Sequence, residues 1–453
     1  MNLKRETFSA FLIGGTNSGS GKTTLSLGIL RALFRRGLAP APFKCGPDYI
    51  DPLFHLQAAG RISINCDTFL MGQEGVRRSF ARHAADSGVA VVEGVMGLFD
   101  GNAPESPAGS SAEIAALLNI PVVLVVNARG MAGSIAPLVR GFSEWDPRVR
   151  IVGVIADNAG SLHHAGLLRG ALECAGLPPL LGFLARDERL KLPERHLGLA
   201  PLPLEESWLD MLADAVESSI DLDRLLELTR VEFPVFESKS VAVPAPCVRL
   251  GVAQDEAFQF FYEENFALLR QHGVEIVPFS PLRGAELPPN LAGLWFGGGF
   301  PELYAETLSR NLPMLQSIRD FAASGRPVYG ECGGYLYLLE SLTGFDGVRH
   351  PLLGLLPGEA VMGRKLASLG YRELFCLADS LFGPAGTRLR GHEFHYSFLK
   401  TVPTDRNLFI ARDLRGVERP AGSVRGNVCG SYIHLHFASN PAAAEAFLRR
   451  LQA

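Results

Sequence analysis

The stretch FLIGGTNSGSGKTTLSLGILRAL, Phe11 to Leu33, decides how the first part of this chain is read. An apolar run from Phe8 to Ile13 leads into a loop of glycine, serine and threonine, and Lys22 and Thr23 then open a helical pattern that continues to Arg36. Strand, loop and helix follow one another directly. Backbone N–H groups of such a loop cradle phosphates at the helix N-terminus, where the dipole favours negative charge. A lysine there reaches the β- and γ-phosphates, and the hydroxyl after it ligates Mg²⁺. The residues expected to hold ATP are therefore Gly15, Thr16, Asn17, Ser18, Gly19, Ser20, Gly21, Lys22, Thr23 and Thr24.

Outward from this loop, short apolar runs alternate with helical patterns: Val89 to Val92, Ile114 to Leu118, Val122 to Val126 and Ile151 to Ile155, with Leu222 to Arg230 as the last helix. This alternation predicts a parallel α/β sheet covered by helices. The segment VEFPVFESKSVAVPAPC, rich in proline and serine and without a sustained period, predicts a linker. A second α/β alternation begins at Val248, with strands expected over Val248 to Val252, Val274 to Pro278, Gly293 to Phe296 and Pro327 to Tyr329, and a helix over Phe258 to His272. The expected organisation is an ATP-binding domain over 1–230, a linker over 231–246 and a second α/β domain over 247–453. A length of 453 residues fits two cores better than one.

Composition narrows the function. The net charge of −4 is carried on a chain whose basic residues are spread evenly, so neither nucleic acid nor an anionic membrane is expected as a partner. The apolar run near the N-terminus is too short to span a bilayer, and cytoplasmic residence is expected. Seven cysteines are scattered without a CxxC pair, which argues against a disulfide framework and a zinc site.

Three acidic residues attract attention in the first domain. In GVAVVEGVMGLFDG, Glu93 ends an apolar strand, where a carboxylate can hold Mg²⁺. In FKCGPDYIDPLFH, Asp48 and Asp51 flank Tyr49 on what Gly46, Pro47 and Pro52 predict to be a shaped loop rather than a plain helix. Thr23, Glu93 and Asp48 are candidate metal ligands; Asp48, Tyr49 and Asp51 are candidates for positioning a substrate.

In the second domain, RPVYGECGGYLYL reads as a nucleophile elbow. Glycines permit a strained strand-to-helix turn that exposes the Cys332 thiol beside a helix N-terminus, a position expected to favour the thiolate. A base can lie far away in sequence, and NVCGSYIHLHFASN offers His434 and His436 on one strand face. Gly297, Gly298 and Gly299 in WFGGGFPELY, with Gly333, are candidates for an oxyanion and substrate site. His392, Glu393 and His395 in RGHEFHYS have HExH spacing, which does not form a zincin helix; packing or substrate contact is expected instead.

The phosphate loop departs from GxxxxGK[ST], because Thr16 takes the place of the first glycine and Gly15 lies one residue earlier. This spacing resembles the loop of dethiobiotin synthetase, another carboxylate-activating enzyme. Deviant loops of the MinD/ParA partition ATPases carry an extra lysine where this chain has Asn17. The segments KCGPDYIDPLFH, NCDTFLMG, VVEGVMGLFDG, LPERHLGL, AQDEAFQFFYEENF, FGGGFPELYAETL, YGECGGYLYL, RGHEFHYS and SYIHLHF resemble, in order, those of the cobyrinic acid a,c-diamide synthases and their hydrogenobyrinic acid counterparts.

The resemblance implies ATP-driven activation of two carboxylates of a corrinoid precursor and amidation with ammonia from L-glutamine, with Mg²⁺ as cofactor. It implies a P-loop domain followed by a class I glutamine amidotransferase-like domain, and it is compatible with a homodimer. It also implies a base contact near GVIADNAGSLHH, at Asp157 or Asn158. The resemblance to class I glutamine amidotransferases implies His434 as the base; in many of those enzymes an acidic residue two places later orients it, and here that place holds His436, so a Cys–His dyad or a partner from elsewhere is implied. Cobalt-containing cobyrinic acid, metal-free hydrogenobyrinic acid and nickel sirohydrochlorin all stay open as substrates.

Overall fold

A computed structural model describes residues 8–192, 203–232, 247–400 and 407–452. Most of LPERHLGL, and the expected linker from residue 233 onward, lie outside them. The chain divides into two compact units at Glu237/Ser238, with Phe69–Met71 grouped with the second.

The first unit is built on eight strands: β1 Phe8–Gly15, β2 Ala41–Cys45, β3 Ile64–Cys66, β4 Val89–Glu93, β5 Val122–Asn127, β6 Ile151–Ala159, β7 Leu180–Ala185 and β8 Arg230–Val231. Seven are parallel in the order β3-β2-β4-β1-β5-β6-β7, and β8 pairs antiparallel with β1. β2, β4 and nearly all of β1 are buried along their whole length, which is why they read as continuous apolar runs rather than alternating ones. Helix α1, Lys22–Arg35, buries Leu25, Ile29 and Leu33 in a core shared with Phe11, Val91, Val123 and Leu212.

Helix α2, Ile50–Ala59, differs from the expectation. Asp51 lies in its first turn, not on a loop. Pro52 is tolerated because first-turn N–H groups have no intrahelical acceptor to lose. The Oδ1 of Asp48 accepts from the N–H groups of Ile50 and Asp51 at 2.8 and 3.0 Å, capping the helix.

In the second unit a six-stranded sheet contains the parallel strands Val248–Ala253, Val274–Phe279, Gly293–Phe296, Val328–Glu331 and Val428–Ser431, with Ser423–Arg425 antiparallel at the edge. A five-stranded antiparallel sheet includes Ser368–Cys376, Arg388–His395 and Ile433–Leu435. The helix expected over Phe258 to His272 begins only at Glu263. Phe258 closes a turn on Asp255, and the N–H groups of Gln259 and Phe260 both bond to the carbonyl of Gly298 at 3.0 Å, so that segment is drawn out. Phe258, Phe260 and Tyr262 are buried in the core. No helix among the described residues is long and apolar enough to cross a membrane.

Candidate functional site

The parallel register assembles the first site. Glu93 at the end of β4 is level with Ile13 on one side and Lys44 of β2 on the other. The phosphate loop leaves β1 immediately beyond, at the carboxyl ends of the strands where α/β sheets bind ligands. Gly21 has φ 94°, a backbone state that disfavours any side chain, and a Cβ there would stand 2.4 Å from the Asp157 carboxylate. Asp157, to which Asn158 donates at 2.7 Å, thus packs directly on the loop. Burial pushes the Asp157 carboxyl up. Lys22 donates to the Asn17 carbonyl at 3.1 Å, folding over the loop.

Around the start of α1, Thr23 Oγ1 donates to Glu93 Oε1 at 2.8 Å and lies 3.5 Å from Asp51 Oδ2. Lys44 Nζ sits 2.7 Å from both of those carboxylate oxygens. His55, one turn along α2 from Asp51, bonds through Nε2 to Glu93 Oε2 at 2.8 Å and through Nδ1 to Ser63 at 2.9 Å. Burial pushes the Glu93 carboxyl up, but Lys44 and His55 outweigh it and hold the group well below the usual carboxylate range. Asp51 goes the other way: burial, with Asp48 and Glu93 nearby, outweighs Lys44 and raises it to about 6. Asp48 spends Oδ1 on the cap of α2, and Asn65 holds the carbonyls of Gly46 and Asp48 at 2.9 and 2.7 Å. Tyr49 is the N-cap residue of the same helix.

Lys44 and His55 were not read from the sequence as site residues. Lys44 stands beside Cys45 at the end of a buried strand, and an ionisable residue in such a run was the available signal.

The second site is built on Cys332, which joins the strand Val328–Glu331 to the helix Gly333–Leu338 with φ 47° and ψ −107°, a rare backbone state for a residue other than glycine. The elbow's glycine at 334 has a steric reason: a Cβ there would meet the Phe296 carbonyl at 2.1 Å. The thiol lies 3.7 Å from the Phe394 carbonyl. Its resting state corrects the expectation of a thiolate. Burial pushes the Cys332 thiol up to about 12, Glu302 adds to the rise, and the N–H of Gly333 offsets it only in part.

His434 lies on the strand Ile433–Leu435, opposite His392 in antiparallel register. Burial, with His392 and His395 nearby, lowers its imidazole to about 3, so the ring is a neutral base. The ring packs on Gly298, where a Cβ would stand 2.2 Å from Cε1. That glycine donates its N–H to the Phe260 carbonyl at 3.1 Å, which commits the group considered for an oxyanion; Gly297 accepts from the N–H of Gly334 at 2.8 Å. Gly299, the next residue, would carry a Cβ only 2.1 Å from the Ala257 carbonyl.

The carboxyl of Glu331, the residue before the nucleophile candidate, comes within 3.8 Å of His434 Nδ1. Its other oxygen accepts from Tyr329 OH at 2.8 Å and the N–H of Leu435 at 3.0 Å. Burial raises Glu331 to about 8. His436 packs on Tyr262 at 4.9 Å between ring centres and feels the charge of Glu264. Glu393 is an ion-pair hub for Arg372 at 2.8 Å, for His395 at 3.0 Å and for Arg419.

Gly298→Ala tests the packing of His434. The added methyl displaces the imidazole, and misplacement of this order costs about a hundredfold in rate. Glutaminase activity is expected to fall by about that factor while ammonium-dependent synthesis persists; unchanged glutaminase turnover would refute the packing argument.

A phosphate-loop α/β unit joined to a cysteine-elbow unit defines a glutamine amidotransferase ligase with a nucleotide-binding domain. Residues 11–199 match the CobQ/CobB/MinD/ParA nucleotide binding domain, and residues 249–442 match the CobB/CobQ-like glutamine amidotransferase domain. The cobyrinate a,c-diamide synthase of Syntrophotalea carbinolica is 46% identical over 96% of this chain and 97% of its own length. That of Dehalococcoides mccartyi is 42% identical over 98% of each chain, and that of Priestia megaterium 39% over 98% and 97%. The chain belongs to the cobyrinate a,c-diamide synthase family.

Proposed function

We propose that the chain amidates the a and c carboxylates of cobyrinic acid, in cobalamin biosynthesis, using ATP with Mg²⁺ and ammonia from L-glutamine. The convergence of Thr23, Asp51 and Glu93 at the mouth of the phosphate loop carries this reading. Two carboxylates and a hydroxyl fit Mg²⁺, which is commonly held by one or two acids with phosphates completing its shell. Among the described residues no group of three or more His, Cys, Asp or Glu side chains is set to hold a metal without such help. Bound there, Mg²⁺ neutralises charge on the triphosphate.

Lys22 and the loop N–H groups position the γ-phosphoryl group for attack by the substrate carboxylate, giving an acyl phosphate and ADP. Asp48 and Tyr49 stand at the head of α2, where they can orient that carboxylate, and Asp157 faces the loop from the side expected for the base. In the second unit, Cys332 attacks the glutamine amide after giving its proton to His434. Gly299 and Gly333 supply the N–H groups for the oxyanion, with Gly297 and Gly298 shaping the strand that carries them. His434 then protonates the departing ammonia, water hydrolyses the glutamyl thioester, and ammonia displaces phosphate from the acyl phosphate. Glu331, whose carboxyl comes within 3.8 Å of His434 Nδ1, is the acid available to orient the base.

Mass spectrometry of products from cobyrinic acid, hydrogenobyrinic acid and nickel sirohydrochlorin, each with ATP and glutamine, tests the substrate. A gain of two amides on cobyrinic acid, with the other two untouched or slower, is expected. Preference for either alternative would replace cobyrinic acid in this reading, and no amidation of any would sink it. A homodimer and cytoplasmic residence accord with the same reading.

A further inference from the structure

The oxygens that fit a divalent cation are the ones that hold Lys44. Its ammonium donates to Asp51 Oδ2 and Glu93 Oε1, each at 2.7 Å, and to the Gly94 carbonyl at 3.2 Å, which uses all three of its N–H bonds. The lysine side chain is 4% exposed, Asp51 9% and Glu93 1%, so water does little to screen the cluster. Thr23 Oγ1 shares the same two carboxylate oxygens. The pairing is built into the sheet, because β2 and β4 put Lys44 level with Glu93.

Mg²⁺ takes oxygens at about 2.1 Å in a near-octahedral shell. An ammonium already bonded to those oxygens both occupies their lone pairs and repels a second cation at close range. The remaining neighbours add one more acid, Asp48, a second ammonium, Lys22, and the imidazole of His55. Free metal therefore meets a cluster whose two ligating carboxylates are half neutralised. Phosphate oxygens change that balance, since they bring both ligands and negative charge.

We propose that Lys44 is a tethered counter-ion that keeps Asp51 and Glu93 in register and suppresses binding of free divalent cation, so that metal enters with the nucleotide phosphates. This rests on the reading of Thr23, Asp51 and Glu93 as the Mg²⁺ site.

The test uses the full-length protein and Lys44→Met, which keeps the volume and removes the charge, with Lys44→Gln as a second variant in case the first does not fold. Binding of Mn²⁺ is measured by electron paramagnetic resonance with and without a non-hydrolysable ATP analogue, and unfolding temperature is followed with and without Mg²⁺. Without nucleotide, the wild type is expected to bind Mn²⁺ weakly and show no Mg²⁺-dependent rise in unfolding temperature. The variant is expected to bind Mn²⁺ about tenfold tighter or more and to regain lost thermal stability when Mg²⁺ is added. Equal or weaker binding by the variants, or strong nucleotide-free binding by the wild type, overturns the counter-ion role. Absence of Mn²⁺ uptake by the wild type even with the nucleotide analogue instead overturns the metal-site reading beneath it.

Discussion

Cys332→Ala is expected to abolish synthesis from glutamine and to leave synthesis from ammonium salts within about an order of magnitude of the wild type, since independent sites in separate units lose function separately. Glutamine hydrolysis should fall by about 10⁴-fold or more, as when an enzyme's nucleophile is removed. The reason lies at the elbow: the sulfur is the reacting atom, while the helix Gly333–Leu338 and its packing on Gly297 do not depend on it. Alanine keeps the Cβ, so the backbone state at φ 47° is no more strained than before. Parallel assays of glutamate release and of amidation with each nitrogen donor check this. Ammonium that fails to rescue the variant would show that the second unit does more than supply ammonia.

Lys22→Ala is expected to lower synthesis by about 10²–10³-fold with glutamine and with ammonium alike, the scale on which removal of one positioned electrostatic group acts on a transition state. Lys22 is buried against its own loop, where water screens its charge little; burial, with Lys44 nearby, also lowers its ammonium from the ordinary lysine range. Glutamine hydrolysis measured alone should persist, since Cys332 and His434 lie in the other unit. Equal loss of synthesis with both donors is the decisive readout. Retained synthesis with ammonium would remove Lys22 from the ATP site.

Much of the two-site plan was legible in the chain because its signals are local. A phosphate loop is a run of small residues between a buried strand and an amphipathic helix, and a cysteine elbow is a strand followed by glycines. The strands that lead into them, and helix α1, lie within a residue or two of the expected bounds. The helix expected over Phe258 to His272 failed at its start because apolar side chains do not reveal which backbone their segment pairs with; Gly298 claims Gln259 and Phe260. Asp51 was read as a loop residue because Pro52 breaks helix interiors, yet the first turn has no bond for proline to break.

The charge state of each site was less legible. A cysteine at a helix N-terminus favours a thiolate in isolation, but Cys332 is buried beside Glu302 and the rise wins. The acid missing two places after His434 gave no hint that Glu331, 103 positions earlier, would approach the same ring.

By itself, then, the sequence determined the alternating strands and helices, the phosphate loop, the cysteine elbow and the family, because periodicity, glycine placement and helix-end chemistry act over a few residues. Only the tertiary structure decided that Lys44, Asp51, His55 and Glu93 share one buried cluster with Thr23, and that Gly298 makes room for His434. Those juxtapositions depend on strand order and register between distant segments, and their electrostatics depend on how completely the assembled fold removes them from water.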